Sequence, residues 1–446
     1  MATIAARAAV AALAAVSYVL LGSCAPAAPP AEPPAPVPVP RAEPPPAAPR
    51  PTPEPEPEPP APETAEPEIR VGLASGAPEA TLGGGAELVG TDAAGARLAV
   101  IPAGEVWRVG IRGVGITVTS PGGGSSTPAD VIGITGAGPD DPVQVNGRLY
   151  RGVVDVLRDR AGLTLVNRLG MEAYLQGVVS AEMGRRDLAE REALRAQAVV
   201  SRTYAHRNLR RWNALGFDLY ATVSDQVYGG LSAETPEGIE AVSATRGRVL
   251  THGGAPIDAF FYSTCGGRTA QGTEVFRAAD RPYLRSVADV AEDGTSYCRI
   301  SPRYRWREEW TGESLLATLR RTLPTATGTP LERVGGVNDV RVVYRTGSGR
   351  VGQLAIALRA GEVRVDGPSV RSVLRPASGE LLRSNAFELT VTGAGRGVTR
   401  LVAEGGGAGH GVGFCQWGAV GRARAGHDFR RILAVYYPSA TVERFY

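Results

Sequence analysis

Proline decides what the first part of this chain can become. Residues 25–69 hold 20 of the 35 prolines in the 446-residue sequence, interleaved with Ala and Glu. A tract of that composition has no core and runs as an extended, polyproline-type tether. At about 3.1 Å per residue it holds whatever follows on the order of 100 Å from its anchor. The folded part of the protein must therefore be built from residues 70–446.

The anchor itself is legible. Arg7 marks a basic start, Ala8 to Leu21 is mostly apolar, and Leu21-Gly22-Ser23-Cys24 resembles a bacterial lipobox. The apolar run is shorter than the roughly 20 residues that span a bilayer. Residues 1–23 thus read as a lipoprotein signal peptide, and Cys24 as the lipidated first residue of the mature chain, with the tether at 24–69. The expected location is the periplasm or cell envelope, as an exported protein held to a membrane by lipid. Ala25 after the Cys carries no Asp-type retention signal, which favours an outer membrane where one exists.

Charge narrows the chemistry. The net charge is +3 and there is no basic block, so nucleic acid is not an expected partner. All 48 basic residues are Arg, which excludes a lysine base or Schiff base. With Cys24 lipidated, Cys265, Cys298 and Cys415 remain, an odd number for an exported chain. They fit one disulfide plus a thiol, or a set of metal ligands.

The pattern along the chain is α+β. A β-rich part at 70–165 shows alternation in Val109-Gly110-Ile111-Arg112 and Ile116-Thr117-Val118-Thr119, and a hairpin of 153–157 with 163–167. A mixed helix/strand core follows at 166–299 and returns at 396–446. A peripheral or inserted α/β segment, 300–395, lies between, with a helix at 313–322 and strands at 340–344 and 353–358. In the core, Asp187 and Glu190 predict a capping box, opening a helix that runs to Trp212 with Leu194, Ala198, Ser201, Ala205 and Leu209 on one face. A second helix spans 236–247, and strands 248–251 and 257–262 are expected to pair across Gly253-Gly254.

Before that helix, Met171-Glu172-Ala173-Tyr174-Leu175-Gln176-Gly177-Val178-Val179-Ser180-Ala181-Glu182-Met183 sets one carboxylate among apolar neighbours. A buried carboxyl keeps its proton near neutral pH, and such a group can break a glycosidic bond. From local sequence alone, a solvent-facing Glu182 is the leading reading.

Seven ordered blocks carry a resemblance. They are Tyr150-Arg151-Gly152; residues 171–183; Glu192 to Val199 with Ser201-Arg202-Thr203-Tyr204-Ala205; and Ser224-Asp225-Gln226-Val227-Tyr228-Gly229-Gly230. The others are Thr245-Arg246-Gly247; Ser263-Thr264-Cys265-Gly266-Gly267-Arg268-Thr269; and Gly409-His410-Gly411-Val412-Gly413-Phe414-Cys415-Gln416-Trp417-Gly418-Ala419. Together they resemble the stage II sporulation protein D (SpoIID/LytB) family, over about residues 69–446 and more loosely in 70–145 and 300–395. The resemblance implies a peptidoglycan lytic transglycosylase that cleaves denuded glycan strands, leaves 1,6-anhydro ends and uses Glu182 as its acid. Some relatives are instead enhancers of a cell-wall amidase, so a non-catalytic wall-binding protein is the alternative. The chain departs from the sporulation members at Gly184, Cys265 and Cys415, and its lipoprotein tether has no counterpart there.

The blocks nominate Gln197, Arg202, Tyr204, Gln226 and Tyr228 as substrate-binding residues beside Glu182. For Gln197 and Arg202 an internal hydrogen-bond network is the other reading. In the Gly-rich block His410, Gln416 and Trp417 are nominated as substrate-binding too: Trp417 can stack on a sugar and Gln416 can bond an N-acetyl group, or the block is a structural turn with a core Trp. Ser263, Gly266 and Gly267 line a cleft or merely close a turn. Cys265, Cys298 and Cys415 with His410 make a Cys₃His zinc site one expectation. A Cys265–Cys298 disulfide is the second, and free buried thiols are the third.

Overall fold

A computed structural model describes residues 65–276 and 280–446; the signal peptide, Cys24 and nearly all of the tether lie outside the described residues. The fold is α+β, as expected. Its β-rich part forms two sheets. One runs, edge to edge, through Leu219–Tyr220, Glu68–Ala77, Leu163–Gly170, Val153–Arg158, Val131–Gly136, Leu88–Thr91 and Arg97–Ile101. The other runs through Gly115–Thr119, Val106–Arg112, Glu79–Gly83, Val143–Val145 and Arg148–Tyr150. Period-two alternation explains the pairing: Val154 and Val156 are buried and face Ile134 and Ile132 across the ladder. The hairpin read from sequence is present, with Val156 opposite Leu165.

Strand Leu163–Gly170 runs directly into helix α1, Met171–Met183, so the sheet aims the helix. Position 165 thus falls within a strand. The N-cap Gly170 has no side chain to cap α1; the Met171 N–H goes to the Pro67 carbonyl and the Glu172 N–H to the Glu66 carboxylate at 2.9 Å instead. Packing holds the helix. Met171, Leu175, Val178 and Val179 are fully buried, at spacings of three and four. Each such side chain stabilises by roughly 1.5–3 kcal/mol. Gly184, at φ +66°, ends the helix.

Beyond Gly184 the structure corrects the sequence reading. Asp187 does not cap a long helix; a short 3₁₀ turn, Leu188–Glu190, comes first, and α2 spans Arg191–Arg207. The Glu190 carboxylate, needed to close a capping box, is taken by Arg424 from 234 residues away. The helix stops short of Trp212 because Asn208 bonds back to the Tyr204 carbonyl and Arg210 turns to φ +66°.

Helix α3, Pro236–Ala244, starts on a Thr235 side-chain cap. Strand Arg248–His252 pairs with Ala255–Pro256 across Gly253-Gly254, but its other neighbour is Thr441–Arg444. Of the expected strand 257–262 only Phe261–Tyr262 forms, and it pairs in parallel with Phe414–Cys415. That pairing joins two of the sequence blocks.

After the one-turn helix α4, Gly272–Val275, residues 306–403 build their own hydrophobic core. It contains α5, Gly312–Thr327, and α6, Gly367–Val373, packed on the sheet Val337–Arg345, Val351–Leu358, Gly361–Asp366. Strand Arg400–Gly406 belongs to this second core, between Arg305–Thr311 and Phe387–Thr392. Helices α7, Gln416–Arg424, and α8, Phe429–Tyr436, return to the first core.

Candidate active site

Glu182 lies in the last turn of α1, half-buried. Its Oε1 accepts the Val227 N–H at 2.8 Å, and its Oε2 accepts Gln416 Nε2 at 3.3 Å. Burial raises its pKa above the ordinary 4.5, and the two hydrogen bonds offset only part of that rise. The negative end of the α1 dipole acts in the same direction. Among the described residues Glu182 has no ion-pair partner.

The chain of bonds continues inward. Gln416 Nε2 also reaches Gln197 Oε1 at 3.4 Å, and Gln197 Nε2 donates to Ser201 Oγ at 2.9 Å. Of the residues nominated from sequence, Gln197 and Gln416 are thus joined to Glu182. Trp417 and Ser263 adjoin through the start of α7, where the Trp417 N–H donates to the Ser263 carbonyl at 3.0 Å. Trp417 is half-buried, with the Arg186 guanidinium 4.5 Å over its ring.

Arg202 is a correction. Its side chain is fully buried and grips Glu172 with Nε at 2.8 Å and Nη2 at 2.7 Å. Glu172 also accepts the Tyr446 hydroxyl at 2.6 Å and the Gly247 N–H at 3.3 Å. Arg202 therefore ties α1, α3 and the strand Arg248–His252 together and offers nothing to a ligand.

Tyr204, Gln226 and Tyr228 are likewise structural. Tyr204 donates to Asp225, Gln226 to the Ser201 carbonyl, and Tyr228 to Asn167 while its ring packs on Tyr174. Their block serves Glu182 through the Val227 backbone, a contribution for which side-chain identity gives no signal. Arg186 was also missed, because cation–π partners follow no sequence spacing.

His410 does not join the cysteines. Its Nε2 donates to the Phe261 carbonyl at 2.9 Å and its Nδ1 accepts the Val412 N–H at 3.1 Å. With burial holding its pKa down to about 4, the ring is a neutral brace under Tyr262 and Phe276. Gly266 lines a different cleft, of about 740 Å³, with Arg305, Trp306, Phe387 and Glu404. Both glycines of that block adopt positive φ (+77° and +116°), and a Cβ on Gly266 would stand 2.8 Å from the Gly406 backbone.

The cysteines do converge, and Asp289 completes the group: all four ligand atoms lie within 4.8 Å of one another, fully buried. Cys265 and Cys298 are free thiols with sulfurs 3.4 Å apart, well beyond the roughly 2.05 Å of a disulfide. Thiol donors from Cys265 and Cys415 push Cys298 below the usual thiol pKa, while burial pushes Cys265 and Cys415 up. Three soft sulfurs and one carboxylate fit a thiolate-preferring metal such as zinc.

A family model described as stage II sporulation protein (SpoIID) matches residues 159–252, which contain Glu182, and a model described as a domain of unknown function matches residues 294–413. An uncharacterized protein of Brachyspira hyodysenteriae is 30% identical over 298 residues, covering 67% of this chain and 73% of that protein. Stage II sporulation protein D of Bacillus subtilis is 29% identical over 293 residues, covering 62% of this chain and 75% of that protein. The amidase enhancer of Bacillus subtilis is 25% identical over 277 residues, and the match spans 38% of its length. On these matches, the chain belongs to the stage II sporulation protein D (SpoIID) family.

Proposed function

We propose that this chain is a peptidoglycan lytic transglycosylase that cleaves denuded MurNAc-GlcNAc strands, with Glu182 as both acid and base. Family membership supports a role at the cell wall. One observation carries the finer reading: a single carboxyl whose pKa burial has raised, held by two neutral donors and, among the described residues, by no cation. That is what a one-carboxylate cycle needs.

In the cycle, protonated Glu182 gives its proton to the glycosidic oxygen as the bond to C1 breaks. The carboxylate then takes the proton of the sugar's own 6-hydroxyl, whose oxygen closes on C1 as the 1,6-anhydro ring. Oε2 is the better seat for the proton, because its contact to Gln416 is long at 3.3 Å while Oε1 is committed to Val227 at 2.8 Å. General acid assistance of this kind accelerates by about 10²–10⁴-fold. The Gln416 amide nitrogen is spent on Glu182 and Gln197, which leaves its oxygen to accept an acetamido N–H. Trp417 supplies a ring face for a sugar.

Mass spectrometry of denuded glycan tests this. Wild type should release peptide-free saccharides with 1,6-anhydro-MurNAc ends, and Glu182→Gln should release none while remaining folded; an active Glu182→Gln protein removes Glu182 from the role. Likeness to an amidase enhancer favours a second reading, a non-catalytic wall binder that stimulates an N-acetylmuramoyl-L-alanine amidase. It predicts binding without product, and more product when an amidase is added. The proposal includes export and lipid anchoring at Cys24, tested by fatty-acid labelling of wild type against Cys24→Ser.

A further inference from the structure

We propose that Cys265, Cys298, Cys415 and Asp289 form a closed, four-ligand site for one dication of the zinc class, built behind the Glu182 site. The spacing fits. Tetrahedral zinc with bonds of about 2.3 Å to sulfur and 2.0 Å to oxygen sets ligand atoms about 3.8 Å (S to S) and 3.5 Å (S to O) apart. Cys265 and Cys298 sulfurs are 3.4 Å apart, Cys265 Sγ and Asp289 Oδ2 are 3.2 Å apart, and every remaining pair is within 4.8 Å. Shifts of well under 1 Å for the contacts near 3.4 Å would seat an ion.

The surroundings are those of ligands. Asp289 Oδ1 is saturated by Arg422 Nε at 3.0 Å and the Tyr436 hydroxyl at 2.9 Å, which turns Oδ2 to the sulfurs. Each sulfur has a donor aimed at it. Cys415 Sγ accepts the N–H groups of Cys265 and Gly418 at 3.1 and 3.2 Å, Cys265 Sγ accepts that of Gly267 at 3.3 Å, and Cys298 Sγ lies 3.3 Å from Ser296 Oγ. Donors of this kind suit thiolates. Charge also balances: four anionic ligands would face a dication, the buried Arg422 and the buried Arg350, whose Nη2 donates to the Cys265 carbonyl. A Cys265–Cys298 disulfide would explain two of the four groups and leave Cys415 and Asp289 unaccounted for.

All four ligands come from protein and all are buried, so the site is structural. It fastens the 263–269 loop, the 289–298 segment and the first residue before α7 to one point. Cys415 precedes Gln416, so the ion would fix the residue that touches Glu182.

The full chain, purified under reducing conditions without chelator, should carry one zinc per chain by elemental analysis. Cobalt should replace it with thiolate-to-metal charge-transfer absorption and tetrahedral d–d bands. Cys298→Ala should lose at least nine-tenths of the metal. Tyr436→Phe, which keeps every ligand, should bind zinc about 10–100-fold more weakly. The proposal is overturned if wild type takes up neither zinc nor cobalt, if Cys298→Ala retains a full equivalent, or if non-reducing peptide mapping finds Cys265 and Cys298 linked.

Discussion

Replacing Arg202 by Met leaves Glu172 as a buried carboxylate stripped of its cation. Arg202 supplies two of the four donors to Glu172, and its remaining N–H groups serve carbonyls of Val242 and Arg248. Removing one partner of a buried pair costs about 3–5 kcal/mol. At about 2–4 °C per kcal/mol, the melting temperature should fall by roughly 6–20 °C. The double variant Glu172→Gln/Arg202→Met should lose less than the two single changes together, since no charge is then left unpaired. Acid should erase part of the difference. Burial pushes Glu172 up, but Arg202, Tyr446 and Gly247 outweigh it and hold its pKa below the ordinary 4.5. A lowered carboxylate contributes stability above pH 4.5 that disappears as pH falls through its folded value, so wild type should approach Glu172→Gln below that point. Scanning calorimetry across pH measures both effects. An Arg202→Met protein that melts within about 2 °C of wild type yet no longer acts on glycan would return Arg202 to the substrate and refute the structural assignment.

Three further outcomes follow from the site and its frame. Gln416→Leu removes a donor that favours ionised Glu182, so the alkaline limb of the pH–rate profile should move to higher pH as the substrate KM rises. Glu182→Gln should stabilise the fold above pH 4.5 and be neutral below it, because a carboxyl with raised pKa disfavours folding once solvent would ionise it; thermal melts at pH 4 and pH 7 check this. Gly247→Ala should destabilise by about 1–3 kcal/mol or more, since φ is +70° there and the new Cβ would collide with the Tyr446 main-chain oxygen; urea denaturation measures it.

Local periodicity made much of this fold legible. Alternation made the Val153–Arg158 hairpin legible. Helix α1 was not read from the sequence, although Met171, Leu175 and Val178 recur at spacings of four and three. What failed was decided by distant partners. The Asp187/Glu190 capping box is a sound local signal, but Arg424 takes the glutamate. Residues 257–262 look like the return strand of a hairpin, yet Phe261 pairs with Phe414. Arg202 on the apolar stripe had two readings, and Glu172, thirty residues upstream, chose between them. Glu182, Gln197 and Gln416 were found because they lie in the blocks, and the three cysteines because Cys265, Cys298 and Cys415 are the ones left after Cys24. Asp289 and the Val227 N–H were not, because neither residue type nor spacing marks them.

The central claim is that the Glu182 carboxyl holds its proton more tightly than an exposed glutamate does. Infrared difference spectroscopy of wild type against Glu182→Gln, titrated across pH, reads that carboxyl alone. A protonated C=O band persisting above pH 4.5 and absent from the variant is the result expected here. A band that vanishes at or below pH 4.5 would mean that burial does not arm this residue as an acid.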